Sequence, residues 1–312
     1  MTTTTGTLRL GTRASQLALT QSQHVADALT AATGRPVELV HVRTEGDRSS
    51  AAIAQLGGTG VFVTALREAL LDGTVDLAVH SYKDLPTAPA PGLALAAVPP
   101  REDPRDVLVA RDRLTLGELP SGAKVGTGAP RRMAQLRALG LGLDVVPIRG
   151  NIDSRMARVV PGDLDAVVLA RAGLSRIGRL AVVTEVLDPL QVLPAPAQGA
   201  LAVECRADDT GVRELLAALE DPAARACVAA ERAVLAALEA GCSAPVAAYA
   251  ELAEGDDGVA ELYLRASVTA IDGSDAVRGS LTGPATEPEV LGRALAADLL
   301  DRGAAELMAV RP

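Results

Sequence analysis

The sequence predicts two α/β units, each a sheet covered by helices, followed by a small α+β domain. Three observations predict it. Apolar strand-like runs alternate with helical stretches through the first hundred residues and again from about Lys124 to Leu169. Such alternation implies a sheet with helices on its faces. Proline-rich breaks at Pro99-Pro100-Arg101-Glu102-Asp103-Pro104 and Leu193-Pro194-Ala195-Pro196-Ala197 separate the units. From Asp221 onward one long helix precedes three strands and a last helix, the order of an α+β domain.

Taken in order, Leu8-Arg9-Leu10 reads as a strand, and Gly11 to Ser15 as the turn into a helix carrying Leu17, Val25, Ala28 and Leu29 on one side. Val37 to Val42 is the next strand. Gly57-Gly58-Thr59-Gly60 reads as a flexible loop, with a helix from Val63 to Leu71. Val75 to His80 is a continuous apolar strand, as expected when both sheet faces are covered. The second unit has strands near Lys124-Val125-Gly126, Val145 to Ile148 and Ala166 to Leu169, and Leu201 to Cys205 reads as one more. Asp221 and Pro222 suit the N-cap and first position of the long helix, and Gly241 suits its stop. Strands at 247–252, 262–270 and 276–281 turn at Asp272-Gly273, and the last helix runs from about 287 to 301.

Composition narrows the function. The chain has 312 residues, 48% hydrophobic and 22% charged, an ordinary globular balance. Three cysteines form no disulfide framework, which points to a reducing, cytoplasmic setting. The first residues show no export signal, and no uncharged apolar run approaches a membrane span. A net charge of −9 argues against a general nucleic-acid binder. Yet Arg131, Arg132, Arg137, Arg149, Arg155, Arg158, Arg171, Arg176 and Arg179 crowd the middle of the chain, several at turns or element ends. Guanidinium binds carboxylate or phosphate through paired hydrogen bonds, so this placement suits a small polyanion. Arg137, Arg158 and Arg179 read instead as solvated surface charges. With aromatics at 1%, Phe62 and Tyr82 draw a functional reading beside one of simple packing.

Several familiar motifs fail. Gly126-Thr127-Gly128 puts Arg131 where a dinucleotide fingerprint needs its third glycine. Gly57 to Gly60 lacks a phosphate-loop ending, and His24, His41 and His80 lack metal-ligand spacing, so no metal is expected. Other features remain. Arg13 and Ser15 sit where a strand turns into a helix, a place that favours anions. His80-Ser81-Tyr82-Lys83-Asp84 follows a buried strand at its C-terminal end, the usual location of chemistry in an open α/β sheet. Gly126 to Arg132 and Arg149-Gly150-Asn151, with Arg155 beyond, repeat the strand-loop-arginine arrangement. Cys242, in Glu239-Ala240-Gly241-Cys242-Ser243-Ala244-Pro245, is a thiol on a tight loop, whereas Cys205 lies in a strand and Cys227 in the helix. On spacing alone Cys242 is either a small packing residue or an attachment point.

The chain resembles the porphobilinogen deaminase family of tetrapyrrole biosynthesis, also called hydroxymethylbilane synthases. The resemblance rests on Gly11 to Ala18, His80 to Pro86, Arg101 to Asp106, Arg149-Gly150-Asn151, Gln198-Gly199-Ala200 and Glu239 to Cys242, in this order. It implies two α/β domains like type II periplasmic binding proteins around a cleft, residues 1–99 with 200–219 and residues 105–193, plus a third domain at 221–312. It implies a dipyrromethane cofactor on Cys242 through a thioether. Four porphobilinogen molecules condense onto it with loss of ammonia, and water releases the linear tetrapyrrole. By the same resemblance Asp84 is the catalytic carboxylate. Lys83, Ser81, Thr127, Arg131, Arg132 and Arg155 contact the cofactor. Arg13, Ser15, Gln21, Phe62, Arg149, Arg155 and Arg176 contact substrate. A monomer that passes its product to uroporphyrinogen-III synthase is also implied. Thr59, Tyr82, Ala129-Pro130 and Ala197 depart from common family patterns at their positions. A rival reading is an anion receptor of two α/β lobes. It accounts for the arginines but not for Asp84 beside Lys83 or for a third domain presenting a thiol.

Overall fold

The computed structural model describes residues 6–42, 59–240, 244–255 and 258–308, with the backbone alone for residues 59–62. The chain divides into two compact units, residues 1–102 with 200–225 and residues 103–199 with 226–312.

The first unit is built on a five-stranded sheet. Its strands are β1 (Leu8–Thr12), β2 (Val37–His41), β3 (Leu77–Ser81), β4 (Leu93–Ala97) and, from far along the chain, β10 (Leu201–Arg206), in the order β2-β1-β3-β10-β4. β1 pairs in parallel with β2 and β3, while β10 runs antiparallel between β3 and β4. Helix α1 (Gln16–Thr33) starts at Ser15, whose hydroxyl accepts from the Ala18 N–H at 3.3 Å, and stops at left-handed Gly34. It lays Val25 and Leu29 on Leu8, Leu10, Leu77, Val79 and Val203. Helix α2 (Thr59–Leu71) covers the other face with Leu66 and Leu70 against Val75 and Ala78. It begins at Thr59, earlier than the loop-then-helix reading places it.

The second unit contains a five-stranded sheet of the same design, in the order β7 (Asp144–Pro147), β6 (Lys124–Thr127), β8 (Ala166–Ala170), β5 (Asp106–Ala110), β9 (Glu185–Val186). Here β5 is the antiparallel member, set against β8 and β9. Helices α3 (Pro130–Ala138), α4 (Ile152–Met156) and α5 (Arg171–Arg176) follow β6, β7 and β8. The first unit is completed by α6 (Thr210–Leu216). Helix α7 (Pro222–Ala237) leads into the C-terminal part, with Asp221 capping Ala224 N–H at 2.8 Å as the sequence predicts.

That part is the antiparallel sheet β11 (Val246–Glu254), β12 (Ala260–Thr269) and β13 (Ala276–Pro284), followed by α8 (Pro288–Asp301) and α9 (Ala304–Met308). Val234 of α7 and Leu238 just beyond it, with Leu295 and Leu299 of α8, pack on Leu262, Leu264 and Val268. The expected fold class, two α/β sheets and a small α+β part, is what the chain forms. One terminus differs from expectation. The left-handed residue that ends α7 is Glu239 (φ 51°), not Gly241. Ala240 N–H returns to Leu235 C=O and Glu239 N–H to Ala236 C=O, closing the helix before Gly241, which lies outside the described residues. Among the described residues no helix is long and apolar enough to cross a membrane.

Candidate active site

In the first unit the candidate residues gather at the C-terminal ends of β1 and β3. Arg13 follows β1 directly and is half-buried. Ser15 accepts a hydrogen bond as helix cap, which leaves its O–H proton available to donate. Gln21 is buried, and its side-chain amide pairs with the Ser81 hydroxyl at 3.1 Å, joining α1 to the end of β3. Tyr82, Lys83 and Asp84 then form one 3₁₀ turn, with Tyr82 buried and Lys83 and Asp84 half-buried. The Tyr82 N–H donates to Ala200 C=O at 3.0 Å, which ties the turn to the start of β10. Tyr82 therefore packs, while Asp84 is presented on a backbone held by two strands. The Phe62 side chain and Cys242 lie outside the described residues.

In the second unit the arginines do not all face solvent as loop cations. Arg131 and Arg132, in the first turn of α3, are 3% and 5% exposed. Both grip Asp106, which begins β5 and is 0% exposed. Arg131 Nη2 lies 2.7 Å from one carboxylate oxygen and Arg132 Nη2 2.7 Å from the other. Gln198 adds a third donor at 2.7 Å. Burial would raise the Asp106 pKa, but the two guanidiniums and Gln198 outweigh it and hold the carboxyl well below the usual range. Arg131 also donates to Leu193 C=O at 2.5 Å and Arg132 to Val168 C=O at 3.2 Å. Much of their hydrogen bonding is thus spent on Asp106, on β8 and on the segment at Leu193.

Arg155 is different. It sits on α4, whose first turn Asn151 caps by accepting from Ser154 N–H at 2.8 Å. Its guanidinium presses on the loop after β6. A Cβ on Gly128 would stand 2.7 Å from Ile148 C=O and 3.4 Å from Arg155 Nη2, so only glycine fits there. Burial, then the like charge of Arg132, pushes the Arg155 pKa down. The Nε atoms of Arg131, Arg132 and Arg155 are all buried without a hydrogen-bond partner among the described residues. The Asp106 carboxylate pairs with two guanidiniums and Arg155 adds a third positive charge close to Arg132, leaving a desolvated excess of positive charge. Thr127 is fully buried and its hydroxyl accepts from Ala129 N–H at 3.3 Å, shaping the same loop. Arg149 is exposed just beyond β7, and Arg176, closing α5, donates to Gly199 C=O at 2.6 Å.

The three arginines expected to be solvated surface charges divide. Arg158 pairs with Asp163 at 2.7 Å and Arg179 stands exposed, as surface charges should. Arg137 is instead a strut, donating to Ile271 C=O at 2.8 Å and Val145 C=O at 3.0 Å, and so joins α3 to the turn between β12 and β13. The sequence reading also missed three buried polar groups. Asp106 and Gln198 stood inside quoted motifs without a role. Glu231 is fully buried on α7, accepting from Ala197 N–H at 2.6 Å and Ala250 N–H at 2.8 Å. Ala197 is left-handed (φ 60°), a conformation that glycine adopts more readily than alanine.

A dipyrromethane with acetate and propionate arms is a polyanion. The surplus of buried guanidinium around Arg155 and the close-packed Gly128 loop fit such a group. Buried, partnerless Nε–H donors are groups that a carboxylate satisfies.

The comparisons with known proteins agree in sequence. Residues 8–214 match the family model described as porphobilinogen deaminase, dipyromethane cofactor binding domain. Residues 225–301 match the porphobilinogen deaminase C-terminal domain. A porphobilinogen deaminase of Nocardia farcinica is 65% identical over 309 residues, 97% of this chain and 89% of that protein. One of Mycobacterium tuberculosis is 61% identical over 305 residues, 96% of this chain and 98% of that protein. Among solved structures, the methionine-binding protein MetQ aligns with TM-score 0.43 and 13% identity over 68% of this chain and 89% of its own. A periplasmic substrate-binding protein of Coxiella burnetii gives 0.44 and 16% over 72% and 96%. With both family domains matched in order along nearly the whole length, the chain belongs to the porphobilinogen deaminase family.

Proposed function

We infer that the chain is a hydroxymethylbilane synthase. It condenses four porphobilinogen molecules head to tail, with loss of ammonia, onto a dipyrromethane held by Cys242, and releases the linear tetrapyrrole by hydrolysis. The observation that carries this reading is the desolvated guanidinium excess at Arg155, Arg131 and Arg132, at the C-terminal ends of β6 and β7. An enzyme whose substrate adds two carboxylates per ring needs that charge. The receptor reading accounts for the charge but not for the family membership.

Bound at Cys242, the dipyrromethane supplies the free pyrrole carbon to which the first substrate is joined. Lys83, Ser81, Thr127, Arg131, Arg132 and Arg155 are assigned to hold it. Arg13, Ser15, Gln21, Phe62, Arg149, Arg155 and Arg176 are assigned to substrate and chain. Arg155 is the strongest of these assignments, because its desolvated charge gains most from an incoming carboxylate. Arg131 and Arg132 contribute mainly through the orientation and net charge that Asp106 leaves them. Asp84 is assigned the chemistry. Departure of ammonia from the aminomethylpyrrole leaves a cationic azafulvene. A carboxylate beside it assists proton delivery to the amine, stabilises the cation and removes the α-proton after coupling. Asp84 lies in the 3₁₀ turn and is half-buried, which supports access of substrate to its carboxylate.

The reading includes three domains, residues 1–99 with 200–219, 105–193 and 221–312, supported by three separate sheets. It also includes a cytoplasmic monomer whose product passes to uroporphyrinogen-III synthase. Intact-mass measurement tests it. The purified protein should exceed its sequence mass by two condensed pyrrole units, and Cys242→Ser should lack the adduct. Cys205 and Cys227 are both buried, and burial pushes the Cys205 thiol up to about 11, so neither suits attachment. An adduct on either would overturn the assignment, and a wild-type protein that does not consume porphobilinogen would overturn the function.

A further inference from the structure

A second buried charge cluster lies in the first unit. Glu204, in the middle of β10, is 5% exposed. Arg67 of α2 forks onto it, Nε to one oxygen at 3.0 Å and Nη2 to the other at 2.7 Å. His80 of β3, also buried, brings Nε2 within 3.1 Å of the same carboxylate. Burial alone would raise the Glu204 pKa, but His80 and Arg67 hold it down to about 2. The carboxylate is therefore ionised throughout the working range.

The three elements joined here are the ones that carry the chemistry. β3 runs from His80 through Ser81 into the turn that presents Lys83 and Asp84. α2 begins with the turn that contains Phe62. Ala200, just before β10, offers the C=O that receives the Tyr82 N–H, and β10 pairs Ala202 with His80 and Leu201 with Ser81. Apolar side chains would join these elements at less desolvation cost, because a buried ion pair rarely outweighs the hydration it loses. A forked guanidinium–carboxylate pair adds directionality, fixing both translation and rotation of α2 against the sheet. The neighbouring contacts of Leu66, Leu70 and Ala78 are apolar and carry no such directionality.

We propose that Glu204 is a positioning residue for the condensation, fixing through His80 and Arg67 the placement of Asp84 relative to the helix that bears Phe62. The inference rests on the catalytic role assigned above to Asp84. It predicts that disturbing Glu204 slows the chemical step while leaving binding, which the arginines govern, unchanged. Displacement of a catalytic group by about 1 Å costs up to ~10²-fold.

Two variants test it, assayed on full-length protein with rates normalised to the cofactor-loaded fraction by intact mass. Glu204→Asp keeps the charge pair but withdraws the carboxylate by a methylene. It should lower kcat by roughly tenfold or more at unchanged KM. The double variant Arg67→Met/Glu204→Met replaces the ion pair by apolar bulk and should recover wild-type thermal stability. A role in stability alone would recover kcat with it; a positioning role leaves kcat low. Wild-type kcat in Glu204→Asp, or in a stable Met/Met variant, overturns the proposal. If wild type itself fails to condense porphobilinogen, the function is at fault and not this inference.

Discussion

Replacing Asp106 by Asn should be among the most damaging single-atom-scale changes in the second unit. The wild-type carboxylate accepts from Arg131, Arg132 and Gln198, each at 2.7 Å, with no exposure to solvent. An amide has one accepting end and one donating end. Whichever way it turns, its NH₂ confronts a guanidinium N–H, and two buried positive charges lose their counter-charge. Breaking a buried pair from one side costs about 3–5 kcal/mol, because the remaining charge stays buried. Whole domains are stable by only about 5–15 kcal/mol. With a urea slope near ~2 kcal/mol per molar, the transition of this unit should move down by roughly 2 M. Urea unfolding followed by far-ultraviolet circular dichroism is the assay. Gln198→Leu serves as internal reference. It removes one donor and leaves both ion pairs, so it should cost only about 1–3 kcal/mol. A transition for Asp106→Asn within about 1 kcal/mol of wild type would show that Arg131 and Arg132 do not depend on Asp106, and the charge accounting at the site would be wrong.

Three further outcomes follow from particular contacts. Arg155→Leu should leave the thermal midpoint unchanged or raised, since burial and Arg132 both disfavour its charge, yet should stall elongation at partial adducts visible by intact mass. Loss of a charged partner in such a site is worth about 2–5 kcal/mol. Glu231→Gln keeps one acceptor for two amides, those of Ala197 and Ala250, so it should cost about 1–3 kcal/mol and speed hydrogen exchange at one of them. For Glu204 the folded pKa is about 2 against 4.5 in the unfolded chain, a depressed carboxylate. Its contribution, roughly 3 kcal/mol at about 1.36 kcal/mol per tenfold change, is present above pH 4.5 and lost as pH falls toward 2. The stability advantage of wild type over Glu204→Gln should therefore shrink from pH 5 to pH 3 in urea titrations.

Periodicity made the layers legible. Leu8-Arg9-Leu10, the Val75 to His80 run and the turn at Asp272-Gly273 carry their own signals, and the fold class follows from them. The short elements were not legible. β5 reads Asp-Val-Leu-Val-Ala beside a proline-rich stretch, and β9 has two residues, too few for any period. The candidate site was legible as residue types at loop positions, through the strand-end placement of Asp84 and of the arginines. What each arginine grips was not. Arg131 meets Asp106 across 25 positions of chain, and local spacing does not encode such a partner. One signal went unused: a lone glutamate in the apolar run Leu201-Ala202-Val203-Glu204-Cys205, and another, Glu231, in the Ala-rich α7. Such a residue is either exposed or held by a buried cation or amide, and both here are held.

The insertion of β10 between β3 and β4 bears on how the protein is made. During synthesis β4 is finished at Ala97, but the strand that must lie beside it begins at Leu201. At about 5–20 residues per second, the intervening stretch of roughly 100 residues takes about 5–20 s to appear. For that interval β3 and β4 have open edges on the ribosome, while the whole 106–186 sheet can close first. The sheet nearest the N-terminus is thus the later of these two sheets to close. A nascent chain arrested before residue 201 presents paired-strand vacancies that invite chaperones or aggregation.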